Sequence, residues 1–222
     1  MKIYDISMEI SPGMAVYKNR DEKKPVFETV RDFSQGSVYE TRLQMDLHTG
    51  THIDMPLHMV DGGPDSGFWH TGRVYSRCTV LDFSHLDIDA VTGQDLKSRE
   101  TALQPCFDLF AKGRSILLKT RNSMQESFDF AFVYLHESGA AYLADKEIAG
   151  VGIDALGIER DQPGHETHKR LLNSGIWILE GLRLAEVPEG DYILALMPLK
   201  IKGVEALPAR AVLLPPDSMT LA

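Results

Sequence analysis

The chain of 222 residues is poor in cysteine, with two in all, and Cys78 and Cys106 sit far outside any C-x-x-C spacing. A disulfide scaffold and a thiolate metal site are both excluded, and both thiols are expected reduced, as in the cytoplasm. No apolar run approaches the ~20 residues of a membrane span, and Met-Lys-Ile-Tyr-Asp-Ile-Ser at the start lacks the apolar core of a secretory signal. A soluble, cytoplasmic protein is the expectation. Positive charge is also scarce: 23 Lys and Arg against 32 Asp and Glu leave a net charge of -9, which argues against nucleic acid or an anionic membrane as partner. There is no internal repeat, low-complexity segment or dividing linker, and Gly150-Val-Gly-Ile-Asp154 lacks the full G-x-G-x-x-G of a dinucleotide site. With 43% hydrophobic residues the chain can bury a sizeable core. One domain over residues 1–222 is expected.

What the chain does have is histidine, eight in all, and three of them fall in His48-Thr-Gly-Thr-His-Ile-Asp-Met-Pro-Leu-His58. Imidazole nitrogens and carboxylate oxygens are the donors that hold zinc- or manganese-like ions. His48, His52, Asp54 and His58 all have even numbers, and in an extended chain alternate side chains share a face. Gly50, the β-branched Thr49 and Thr51, and Pro56 oppose a helical reading. Upstream, Leu43, Met45 and Leu47 alternate with Arg42, Gln44 and Asp46, the period of a half-buried strand. The motif is therefore expected where that strand ends and runs into a loop.

A second informative segment is Gly164-His-Glu-Thr-His168-Lys-Arg-Leu-Leu, followed by Ile176-Trp-Ile-Leu-Glu180. Glu180 directly follows an apolar run, so it is expected near the core. A buried carboxylate costs several kcal/mol unless a metal or a cation compensates it. A metal ion and a buried Arg or Lys partner both remain open, and His168 alone is a modest candidate.

Strands are expected at Ile3–Met8, Thr79–Phe83, Ser115–Lys119, Gly150–Asp154 and Tyr192–Leu196, after which the chain leads into the apolar Val212–Leu214. A short helix should start after Thr92, with Asp95 three residues on. Tyr134–Ala144 has helical composition. An α/β domain with a substantial central sheet and few helices follows. In the early loop Tyr17 either walls a pocket or tucks into the surface, and Phe68 and Trp69 either line a substrate site or anchor their loop. His70 reads as a hydrogen-bonded bystander and His85 and His136 as outside the site, while Asp154 either reaches the site or caps a turn. His165 is left without a role.

The sequence H-x-G-T-H-x-D-x-P-x-H from His48 to His58 resembles the metal-dependent cyclase family, which includes bacterial kynurenine formamidases and isatin hydrolases. His168-Lys-Arg-Leu-Leu, Ile178-Leu-Glu-Gly-Leu, Pro198-Leu-Lys-Ile and Pro208-Ala-Arg-Ala are similar to later elements of that family, so the likeness spans most of the chain. It implies a swivelling β/β/α fold assembled as a homodimer or homotetramer, with one or two divalent ions, zinc or manganese, per chain. His48, His52 and Asp54 would hold the first ion, and Asp54 would bridge to a second held by His168 and Glu180. His58 would move protons. The implied activity is amide hydrolysis by metal-activated water on an aryl formamide such as N-formylkynurenine, with Tyr17, Phe68 and Trp69 around the ring. Isatin or another cyclic amide is the alternative substrate, and a non-catalytic metal-binding protein is the alternative of another class. One departure concerns the substrate: Ala15-Val-Tyr17-Lys-Asn-Arg stands where formamidase-type members resemble P-V-W-P-G-D.

Overall fold

The computed structural model describes residues 2–103 and 112–218, so Cys106 lies outside the described residues. Twelve strands and three helices follow one another: β1 Tyr4–Asp5, β2 Val26–Arg31, β3 Glu40–Gln44, β4 His52–Asp54, β5 Tyr75–Asp82, β6 Ala90–Val91, α1 Gly93–Leu103, β7 Ser115–Lys119, β8 Tyr134–Leu135, α2 Glu137–Asp145, β9 Gly150–Ile153, α3 Glu166–Asn173, β10 Trp177–Glu180, β11 Gly190–Pro198 and β12 Ala206–Leu214. The α/β class with a substantial sheet and few helices is what the sequence leads one to expect.

The main sheet runs β1-β12-β11-β5-β7-β9-β10-β4 and closes on itself, because β4 pairs with β12 as well as with β10. One edge of β12 is divided: Ala206–Pro208 faces β4, and Val212 and Leu213 face β1. Seven strands thus form a closed barrel, with β5, β7, β9 and β10 parallel. Parallel strands are covered on both faces, so they need apolar residues at successive positions. Ser115-Ile-Leu-Leu-Lys in β7 is buried at every position.

Alternation along these strands sorts the core into two layers. Ile53, Val80, Leu117, Leu179 and Leu194 fill the barrel interior. Leu81, Ile116, Leu118 and Ile178 point outward and meet α1, α2 and α3 through Leu96, Leu143 and Leu171. Burial of each such side chain contributes about 2 kcal/mol. Residues of β4 and β10 that face outward therefore lie under the helical layer, and His52, Asp54 and Glu180 are three of them.

Local signals hold at α1, where Thr92 N–H donates to Asp95 Oδ2 at 2.8 Å and Asp95 N–H donates to Thr92 Oγ1 at 3.3 Å, a reciprocal cap. Elsewhere the boundaries move. Tyr134 and Leu135 form β8, and α2 starts only at Glu137 because His136 caps it, accepting the Ser138 N–H at 3.1 Å. The strand expected to run through Met45 and Leu47 stops at Gln44, and β3 is exposed at all five positions. Among the described strands it pairs only with β2, which is likewise exposed throughout. None of the described helices is long and apolar enough to cross a membrane.

Candidate metal centre

β4 begins at His52, so its donors lie within a strand of the barrel wall instead of in a loop after one. The register places His52 directly opposite Glu180 and Ile178 opposite Asp54. Both carboxylates and His52 consequently share the outer face of two adjacent strands. Their approach depends on close backbone contact: Gly181, at φ +70°, would carry a Cβ 2.3 Å from the Gly50 carbonyl oxygen. Thr51 ties the two ends together, its Oγ1 donating to Gly181 O at 2.6 Å and accepting the Met8 N–H at 2.7 Å. The Gly50-Thr51 step of the motif thus serves packing, and the flanking residues serve chemistry.

His168, on the first turns of α3, completes the group from above. Its Nε2 lies 3.5 Å from Asp54 Oδ2 and 3.5 Å from Glu180 Oε1. On the other side His52 Nε2 lies 3.4 Å from Asp54 Oδ1 and 3.4 Å from Glu180 Oε2. Each carboxylate therefore spans the two imidazoles with its two oxygens. His48 Nδ1 approaches Asp54 Oδ1 at 3.1 Å. His58 stacks beside His48 with ring centroids 4.1 Å apart and lies 5.6 Å from the His168 ring.

Asp54 is fully buried and Glu180 is 4% exposed, and their ionic partners are histidines alone among the described residues. Among the described residues no buried Arg or Lys pairs with Glu180. Both oxygens of Asp54 and the Nε2 atoms of His48 and His52 make no well-directed hydrogen bond. Contacts of 3.4–3.5 Å are too long for good N–H···O bonds. They match the roughly 3.4 Å that separates neighbouring ligand atoms around a tetrahedral ion with bonds of ~2.1 Å. The donor set fits a divalent cation.

Without the ion, protons serve as counter-charge. Burial opposes a charge on His52, yet Asp54 and Glu180 outweigh it and push His52 up to about 10. His168 is raised well above its usual range against the same burial, by Asp54, Glu159 and Glu180. Burial and the Asp54 charge favour a neutral Glu180, but the adjacent His168 and His52 imidazoles hold it at about 2. His58 moves the other way: burial pushes it down, and although Asp54 opposes this, His48 and His168 add to it.

The structure adds a residue that the sequence did not single out. Glu159, 5% exposed, receives the His168 backbone N–H on Oε2 at 3.2 Å, and its Oε1 lies 3.1 Å from His168 Nδ1. A carboxylate behind a ligating imidazole orients the ring and raises its basicity. His165 Nδ1 also contacts Glu159 Oε1. No periodicity marks Glu159; its only local signal is its position nine residues before His168. The corresponding device at His52 is a backbone carbonyl, with Nδ1 at 2.9 Å from Gly50 O, which leaves Nε2 facing the cluster.

The cluster opens into a cavity of about 570 Å³ that Tyr17, His48, His58, Met59, Leu156 and His168 help to line. Tyr17 is therefore where a wall residue belongs. Phe68 and Trp69 are not. Asp65 Oδ1 accepts the Gly67 N–H at 2.8 Å and turns the segment so that both aromatics pack on the barrel-interior cluster. Trp69 meets Trp177 edge-on at 6.0 Å, at the end of β10 remote from Glu180, and Phe68 carries the Arg73 guanidinium 4.0 Å above its ring. They anchor their loop. His70 accepts the Arg73 Nε–H at 3.2 Å, and Asp154 caps the turn after β7, accepting Thr120 N–H and Oγ1 at 2.7 and 2.8 Å. Burial pushes that carboxyl up to about 6 against these hydrogen bonds.

Residues 4–160 match the family described as putative cyclase. Over 216 residues the chain is 31% identical to a kynurenine formamidase of Salinibacter ruber, covering 96% of this chain and 97% of that one. A solved structure described as a potential metal-dependent hydrolase with cyclase activity is 44% identical, with a TM-score of 0.84 over 96% of both chains. Isatin hydrolase A from Ralstonia solanacearum superposes with a TM-score of 0.82 over 96% of this chain and 91% of that one at 18% identity, a likeness of fold.

Proposed function

From the premise that the chain belongs to the putative cyclase family, we propose that it is a metal-dependent amide hydrolase acting on aryl formamides of the N-formylkynurenine type. The observation that carries this reading is the fully buried Asp54, held at 3.1–3.5 Å by three imidazoles with no Lys or Arg beside it among the described residues, at the base of an open cavity. The kynurenine formamidase relative, matched over nearly its whole length, supports the choice of bond.

His48, His52 and Asp54 would hold one ion, and His168 and Glu180, with Asp54 bridging, a second; zinc suits the nitrogen-rich set and the tetrahedral spacing, and manganese is the other candidate. When bound, the metal supplies Lewis-acid polarisation of the amide carbonyl and acidifies water. The protein's own part is orientation and proton movement. The Gly50 carbonyl fixes the His52 ring through Nδ1, and Glu159 holds the His168 backbone N–H and sets its carboxylate 3.1 Å behind His168 Nδ1. His58, whose pKa burial pushes down, can take a proton at a ring nitrogen and return it to the departing aniline nitrogen. Tyr17 offers an aromatic wall, edge-on to Phe128 at 5.2 Å.

A structural metal site has four protein ligands closed around its ion, whereas this cluster opens to a cavity large enough for a substrate. That contrast favours catalysis over a purely structural role. Self-association is part of the proposal, because Val26, Phe27, Val30, Phe33, Tyr39 and Leu43 on the β2–β3 hairpin are all exposed in the single chain. The test is metal analysis of protein purified without chelator, followed by formate release from N-formylkynurenine and ring opening of isatin. Metal-dependent formate release is expected. Loaded protein inert towards every aryl formamide would sink the reading, and activity on isatin alone would move the substrate to the cyclic amides.

A further inference from the structure

The mouth of the cavity differs in charge from its base. The base holds carboxylates and imidazoles, while Lys18, Arg20 and Lys23 line the mouth, in a chain whose net charge is -9. All three come from one short loop, the segment whose sequence departs from the formamidase-type pattern. Lys23 pairs with Asp46 at 3.2 Å, and Lys18 reaches the largely exposed Asp161 only at 4.0 Å. Arg20 has no ion pair within 4.0 Å among the described residues. Glu159 is committed to His168 and His165, which leaves Asp161 as the acid of the cavity lining that approaches Lys18.

The loop is held in a costly shape. Lys18 (φ 59°), Asn19 (φ 51°), Asp161 (φ 52°) and His165 (φ 53°) are four of the five non-glycine residues with positive φ among those described, and all four belong to the two segments that form the mouth. Backbone strain of this kind persists where surrounding contacts enforce it. Asn19 Nδ2 donates to Phe128 O at 3.3 Å, and the Tyr17 ring is wedged between Phe128 and Gly157. These contacts leave the Lys18 ammonium 5.3 Å from the centre of the Tyr17 ring. Tyr17, Lys18 and Arg20 therefore line one cavity with the buried cluster, so a ring against Tyr17 lies within the same space as two cationic groups.

We infer that Lys18 and Arg20 form a carboxylate subsite, so that the enzyme's substrates are anionic aryl amides, bound with the acid group at the mouth and the amide at the base. The inference rests on the amide-hydrolase reading of the same cavity. Arg20 offers a planar fork suited to a carboxylate, and Lys18 a point charge. Together they counter the repulsion that a net negative chain exerts on an anionic substrate.

The test compares two substrates of equal size, 3-formamidobenzoate and its neutral isostere 3-formamidobenzamide, on metal-loaded enzyme at low ionic strength. The expected kcat/KM ratio, acid over amide, is about tenfold or more, falling to within about twofold in the Lys18→Gln/Arg20→Gln double variant. Arg42→Gln, which breaks the pair with Glu28 on the hairpin, keeps the ratio. A wild-type ratio near one, or a ratio that the double variant leaves unmoved, overturns the subsite while the hydrolase reading stands. If neither compound is hydrolysed, formate release from N-formylkynurenine decides the hydrolase reading, and calorimetric binding of 3-aminobenzoate against 3-aminobenzamide decides the subsite. Charge-dependent binding lost in the double variant supports it. Equal binding of the two, or none, overturns it.

Discussion

The β2–β3 hairpin and strand β4 are close neighbours in sequence and opposites in environment. Every residue of Val26–Arg31 and Glu40–Gln44 is exposed, whereas His52, Ile53 and Asp54 are all buried. The hairpin exposes apolar side chains, and the short strand buries a carboxylate. The difference lies in what pairs with each. β4 sits between β10 and β12 and closes the barrel, so its outward side chains are roofed by α3. Among the described strands β2 and β3 pair only with each other, and an isolated two-stranded hairpin is marginally stable in water. The buried charge fits a cation, and the exposed apolar surface is what the proposed self-association would cover.

Removing the charge from the buried side should have the largest effect. Asp54→Ala is expected to abolish metal binding and lower kcat/KM by on the order of 10³-fold or more, read by elemental analysis and formate release. A variant that still held its metal would show that the buried carboxylate has another partner. His58→Ala should lower kcat by about 10²- to 10⁴-fold with metal content intact, which separates proton transfer from ligation. Glu159→Gln acts one layer out and should weaken metal affinity by roughly 10- to 100-fold.

The pH dependence of the metal-free protein follows from the same cluster. His52 is raised from 6.5 to about 10, so its contribution to stability is complete below about 6.5 and disappears as pH rises through 10. Glu180 is lowered from 4.5 to about 2, so its contribution is complete above about 4.5 and is lost as pH falls through 2. Chelator-stripped protein should have its highest Tm between these limits, and the Tm gain on adding metal should grow from pH 6 to 9, because the ion displaces those protons. A gain that shrank with pH would contradict the assignment of His52 as a ligand. The smallest effect on catalysis is expected at the hairpin. Phe27→Asp with Leu43→Asp should shift the protein towards monomer in analytical ultracentrifugation while changing Tm by only a few degrees. An unchanged oligomeric state would remove the hairpin from the interface.

Legibility in the sequence followed how local each feature is. The cap at Thr92 and Asp95 could be read because both partners lie within one turn. The burial of Glu180 could be read because the apolar run before it continues the strand. Leu43, Met45 and Leu47 misled, since alternation tells which side chains share a face and says nothing about whether another layer covers it. Phe68 and Trp69 misled in a similar way: two aromatics beside a metal motif suggested a substrate wall, but the turn at Asp65 sends them to the far end of β10. Glu159 was invisible because its role exists only once α3 has folded over the barrel.

The sequence by itself determined the chemistry available to this protein: a nitrogen- and carboxylate-rich donor set without cysteine, and, through the two-residue period of a strand, His52 and Asp54 on one face. Only the tertiary structure decided that Glu180 stands opposite His52 in the sheet, that His168 arrives from α3 to face both carboxylates, and that Lys18 and Arg20 rim the same cavity. The reason is physical. Side-chain direction within a strand follows from backbone geometry over a few residues, whereas the meeting of groups more than a hundred residues apart depends on barrel closure, which is set by the packing of the whole core.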